Sequence, residues 1–180
     1  MGKFLAALIV VCALAAGAGI YYMQVYGYYE EVAAQGDDVV LTRVDGTVDT
    51  IPFDGFEAID ANSSPIRYRA CFTTSEPQED LAATYQPYPR AEPLTAPRWF
   101  DCFDASEVGE ALEQGEAKAF LSVANVVYGI DRIAAVMSDG RGYVWHQINA
   151  CGEVVFDGRT APDGCPPPPD EVGSAGGPRR

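Results

Sequence analysis

Residues 130–148 read IDRIAAVMSDGRGYVWHQI, two apolar runs separated by Ser138-Asp139-Gly140-Arg141-Gly142. Turn-forming residues between two β-forming runs predict an antiparallel hairpin. The second arm alternates, so Tyr143, Trp145 and Gln147 fall on one face and Val144, His146 and Ile148 on the other. A lone hairpin is marginally stable in water. The hairpin therefore requires partner strands, and the flanking sequence offers them.

Immediately upstream, Ala117–Tyr128 is apolar and fits either a helix or a strand; its β-branched second half, followed by Gly129, favours a strand. Before it, Asp104-Ala105-Ser106-Glu107 has capping-box spacing and predicts a helix from Ala105 to Gln114, stopped by Gly115, with Val108 and Leu112 facing the core. Trp99-Phe100-Asp101-Cys102-Phe103 gathers large aromatics of the kind that fill cores. Further back, Ile66–Phe72 alternates, predicting a strand with Ile66, Tyr68, Ala70 and Phe72 on a buried face and Arg67, Arg69 and Cys71 on the other. Val39–Thr42 and Val48–Ile51 flank Asp45-Gly46, a second hairpin signal, and Phe56–Ile59 makes a further extended piece. Between them, Thr73–Arg98 carries Pro77, Pro87, Pro89, Pro93 and Pro97, which leaves room for a helical turn at 79–85 and otherwise for surface loop. Downstream, Glu153–Phe156 with Asp157-Gly158 reads as a last short strand or turn, and 161–180 as a Pro/Gly-rich disordered tail.

The N-terminus is of another kind. Phe4–Tyr29 is an apolar run without a charged residue, and about 20 such residues in a helix cross a bilayer core. Lys3 precedes it and Glu30, Glu31, Asp37 and Asp38 follow, so the positive-inside rule puts residues 1–3 in the cytoplasm and the remainder across the membrane. Five tyrosines, Tyr21, Tyr22, Tyr26, Tyr28 and Tyr29, mark the far interface. Ala16-Gly17-Ala18 resembles a signal-peptidase site, but the length of the run and the aromatic belt favour a retained anchor. The expected organisation is a transmembrane helix at 4–29, a linker at 30–38, an exported domain at 39–160 and the tail. The fold class is α+β: an N-terminal transmembrane helix, then a small antiparallel-sheet domain with one short helix. In a bacterium, the address is the inner membrane with the domain in the periplasm.

The chain has 180 residues and a net charge of −14. All 26 acidic residues follow the apolar run, against 11 basic ones once Lys3 is set aside from the 12, so the domain carries −15. Such a surface opposes nucleic acid and anionic headgroups. Cys71, Cys102, Cys151 and Cys165 lie outside the membrane, where an oxidising compartment favours disulfides; the sequence-local pairs are Cys71–Cys102 and Cys151–Cys165. Cys12 reads as a buried thiol of the helix.

His146 is the single histidine, so acid–base or nucleophilic chemistry would centre on it. No nucleophile elbow, HExxH or P-loop is present in the sequence. Trp99, Trp145, His146 and Arg141 make up the candidate functional cluster. A thiol- or metal-handling site would draw on Cys71, Cys102 and His146, with Met137 as a further soft ligand. No CxxC spacing supports it, and no cofactor or metal is assigned.

At Arg67–Phe72, Pro97–Asp104, Tyr128–Arg132 and Asp139–Asn149 the chain resembles an uncharacterised bacterial family of single-pass, membrane-anchored exported proteins, some members of which are labelled histidine kinase. The resemblance implies the anchored architecture and brings no activity. A kinase core requires a dimerising helical pair with a phosphoacceptor histidine and a nucleotide domain with glycine boxes, which the sequence lacks. The expected role is an accessory, assembly or interaction module for another membrane or envelope protein; the alternatives are the thiol or metal protein and a sensor domain for a separate kinase.

Overall fold

The computed structural model describes residues 2–169. Helix α1, Gly2–Tyr22, continues through a π turn at Met23–Gly27, and together they form a helix long and apolar enough to cross a membrane. None of its residues packs into the domain core. Two residues later the chain enters a sheet.

That sheet has six strands: β1 (Glu30–Glu31), β4 (Asp54–Asp60), β5 (Arg69–Thr73), β8 (Arg141–Ile148), β7 (Ile130–Met137) and β6 (Ala117–Val127), in that spatial order and antiparallel throughout. Strands β2 (Val40–Thr42) and β3 (Val48–Thr50) form a separate hairpin. The α+β reading holds. Both hairpins lie where the turn chemistry placed them, and Gly46 and Gly140 take positive φ of 89° and 88°, conformations that suit glycine.

The sheet is covered on both faces. On one, Ala70, Phe72, Ala134, Val136 and Val144 meet Val39, Leu41 and Ile51 of the β2–β3 segment and Leu81 and Tyr85 from α2 (Gln78–Thr84) and its end. On the other, Ile59, Cys71, Ile133, Tyr143 and Trp145 meet Phe100, Phe103 and the α3 residues Val108 and Ala111. Helix α3, Ala105–Gln114, follows its sequence signals: the Asp104 side chain accepts from Ser106 N at 2.9 Å and Glu107 N at 3.3 Å, and Gly115 closes the helix at φ 76°.

Four expectations require correction. Ile66–Phe72 is not a strand with one buried face: β5 begins at Arg69, lies between β4 and β8, and buries Arg69, Ala70, Cys71 and Phe72 alike. A central strand under two layers has no solvent face. The linker at 30–38 is not all linker, since Glu30 and Glu31 pair with Asp60 and Ile59. Where a last short strand or turn is expected, the chain forms a helix, α4 (Ala150–Val155), and then a turn at 156–158; Asn149 caps the helix by accepting from Cys151 N and Gly152 N at 3.0 Å each. Finally, 161–169 has no regular structure but is fastened by the Cys151–Cys165 bridge and by Tyr128 Oη, which donates to Pro166 O at 3.1 Å. Residues 170–180 of the expected tail lie outside the described residues.

Candidate functional site

Strand β8 carries three of the four cluster residues and separates them. Trp145 is wholly buried and meets Phe103 edge-on at 6.3 Å. His146 points to the opposite face and stacks on Tyr68 at 4.8 Å. Its Nε2 accepts from Arg132 Nε at 3.0 Å, which leaves the proton on Nδ1 to donate to Pro65 O at 2.7 Å. Both nitrogens are thereby occupied. Burial pushes the imidazole pKa down to about 4, and the nearby Arg132 guanidinium acts in the same direction. His146 is therefore neutral at pH 7 and has no free lone pair for a metal or a proton. Arg141, at the start of β8, pairs with Glu107 at 2.7 Å and Asp139 at 2.8 Å, which hold its pKa above the usual range.

The cysteines form the two sequence-local bridges, Cys71–Cys102 and Cys151–Cys165. Cys71 lies in the layer of Trp145, on the face away from His146, so the structure brings Cys71 and Cys102 together as a disulfide and leaves His146 on the other side of the sheet. Among the described residues no group of three or more His, Cys, Asp or Glu side chains is spaced to hold a metal.

Trp99 leads to a different place. Its indole Nε1 donates to Val25 O at 2.6 Å, inside the π turn that ends the apolar helix. The ring stacks on Tyr26 at 6.3 Å and meets Tyr29 edge-on at 5.9 Å; Tyr22 extends the row by stacking on Tyr26 at 5.9 Å. Arg67 reaches Gln24 O at 3.4 Å and lies 5.5 Å above the Tyr29 ring. Helix ends leave carbonyls without intrahelical partners and carry partial negative charge. Indole and guanidinium donors answer both. The domain thus grips the end of the helix through Trp99, which the sequence suggests is core, and Arg67, which it places on the face of a strand opposite the buried one.

Two devices hold Trp99 in position. The Cys71–Cys102 bridge ties its loop to β5 in the sheet. Arg69, 4 % exposed, inserts its guanidinium among main-chain carbonyls, donating to Leu94 O at 2.6 Å, Ile66 O at 2.9 Å, Tyr68 O at 2.6 Å and Thr95 O at 3.3 Å. Burial without a carboxylate partner lowers its pKa to about 10. In the proline-rich loop, which has few donors of its own, this side chain satisfies the carbonyls of Leu94 and Thr95, while Gln147 holds the loop further back by donating to Arg90 O and accepting from Glu92 N, both at 2.7 Å.

Beside Trp99 lies a cleft of about 460 Å³ between the β1–β4 edge and the Trp99–Cys102 turn. Phe56, Trp99 and Phe100 are among its walls, and Glu31, Glu57 and Asp101 are the charged residues lining it.

Sequence comparison covers the domain but not the helix it grips. No curated protein and no solved structure gives a significant match. A model of a family of unknown function, DUF6446, matches residues 39–166, a span that takes in strands β2–β8, both disulfides, Arg69, Trp99 and His146. On that match, the chain belongs to the DUF6446 family of unknown function.

Proposed function

We propose that this protein is a membrane-anchored accessory or assembly module of the cell envelope, which acts by binding another membrane or envelope protein and performs no chemistry of its own. The observation that carries this reading is the grip of Trp99 on Val25 O, with Arg67 and the tyrosine row around it. A domain fastened to its anchor at several points presents the same face to the membrane plane. Holding two proteins in one bilayer raises their effective concentration, and a fixed orientation adds preorganisation to that gain.

The charge asymmetry around the apolar run supports an N-terminus in the cytoplasm and a periplasmic domain, and two disulfides suit an oxidising compartment. The occupied nitrogens of His146 and its separation from Cys71 weigh against the thiol or metal alternative. The test is in-cell crosslinking followed by gentle solubilisation of the full-length protein. A stoichiometric membrane or envelope partner is the expected result, reduced in Trp99→Ala; recovery of the protein alone overturns the reading.

A further inference from the structure

The cleft beside Trp99 has a composition that specifies an occupant. Strand β1 pairs only Glu30 with Asp60 and Glu31 with Ile59, and Val32 N adds one bond to Ala58 O at 2.8 Å. From Glu57 back to Asp54, β4 has no strand partner on that side among the described residues. The Phe56–Glu57 end of that edge, continued by β1 and the paired residues Ala58 and Ile59, forms one bank of the cleft and the Trp99–Cys102 turn the other. Trp99 and Phe100 give it apolar walls, the Phe56 ring turning into the opposite core layer beside Phe53, while Glu31, Glu57 and Asp101, all exposed, put three carboxylates around them. None of the three has a salt-bridge partner among the described residues.

We infer that this cleft docks an extended segment of a partner protein in which basic and apolar residues alternate. An extended chain sends successive side chains to opposite sides, so an alternating segment can set apolar groups against the aromatic walls and turn its cations to Glu31, Glu57 and Asp101. An open sheet edge is a common receptor for such a segment. Charge selects among the other occupants. A second copy of this chain would bring a domain of net −15, from 26 acidic and 11 basic residues after the apolar run, and anionic headgroups would be repelled likewise. The inference rests on the binding-module reading and names its surface.

The probe is a fluorescent Lys-Val-Lys-Val-Lys-Val-Lys peptide, titrated by anisotropy against the full-length protein in zwitterionic nanodiscs. Saturable binding is expected, weakened at least about tenfold by Glu57→Lys and by Asp101→Lys, with Glu113→Lys on the exposed face of α3 having little effect. A block peptide of the same composition, Lys-Lys-Lys-Lys-Val-Val-Val, is expected to bind more weakly than the alternating one. Near-UV circular dichroism checks each variant, and Asp101→Lys alone carries the test if Glu57→Lys does not fold. No binding, equal weakening by Glu113→Lys, or equal binding of the block peptide overturns the inference. A partner captured in cells whose yield is unchanged by Asp101→Lys would leave the module reading standing and this surface wrong.

Discussion

The Trp99 indole and the Val25 carbonyl are joined by a 2.6 Å hydrogen bond across 74 positions of sequence, and that bond fastens a sheet domain to the end of an apolar helix. Trp99→Phe keeps the ring contacts with Tyr26 and Tyr29 and removes the donor, at a cost of roughly 0.5 to 1.5 kcal/mol; Trp99→Ala removes both. Hydrogen exchange in nanodiscs should show faster exchange at residues 28–32 in the order Ala, Phe, wild type, with β7 and β8 unchanged. Equal exchange in all three would mean that the grip is not closed in the bilayer.

The bridges should differ in weight. Cys71–Cys102 closes a separation of 31 residues and Cys151–Cys165 one of 14, which in the chain-entropy model corresponds to about 3.7 and about 3 kcal/mol. Replacing Cys71 and Cys102 together by Ala should lower the thermal midpoint more than replacing Cys151 and Cys165, because the first pair also anchors the Trp99 loop to β5. Calorimetry of the two double variants checks the order.

Acid should weaken the fold through His146. Its pKa falls from 6.5 to about 4 on folding, so between those values the unfolded chain binds more protons than the folded one. Stability is then complete above pH 6.5 and declines as the pH drops towards 4, by roughly 3 kcal/mol at most. Denaturant titrations at about pH 7 and about pH 5 measure the loss, and His146→Gln should remove most of this dependence. An imidazole NMR titration with a midpoint near 6.5 would contradict the buried, neutral ring.

Gly152 should tolerate no side chain. A Cβ there would stand 2.2 Å from Gly129 O, and one on Gly129, at φ 77°, would stand 2.6 Å from Gly152 Cα. Two backbones touch at this point, so Gly152→Ala must push α4 from the β6–β7 turn and should cost more than about 2 kcal/mol. Gly158→Ala, also at positive φ but in open space, should cost only about 1 kcal/mol. Equilibrium unfolding of both variants makes the comparison.

Much of the sheet was legible because its signals are local. Asp45-Gly46, Asp139-Gly140 and the Asp104 cap each act within a few residues, and the bridges join cysteines close in sequence. What was not legible depends on distant partners. Arg69 reads as a solvent-facing charge until the carbonyls of Leu94 and Thr95, some 25 positions away, are seen around its guanidinium. Glu30 and Glu31 look like linker because a two-residue strand has no periodicity, and α4 was hidden by a β-branched pair, Val154-Val155, that the Asn149 cap overrides. The candidate cluster was misleading in a particular way. Trp145 and His146 are neighbours in sequence, and in a strand that sends them to opposite layers, while Trp99 found its partner in the carbonyl of Val25, which no side-chain pattern announces.

Only Tyr28 and Tyr29 separate the π turn at Gly27 from β1 at Glu30. So short a splice, gripped from the side by Trp99, transmits rotation. A change in the direction of the helix would be carried through Glu30 and Glu31 into β4 and swing the bank of the cleft with it. Helix end and sheet edge are then one mechanical piece, and the direction of the helix decides which way the bank of the cleft faces.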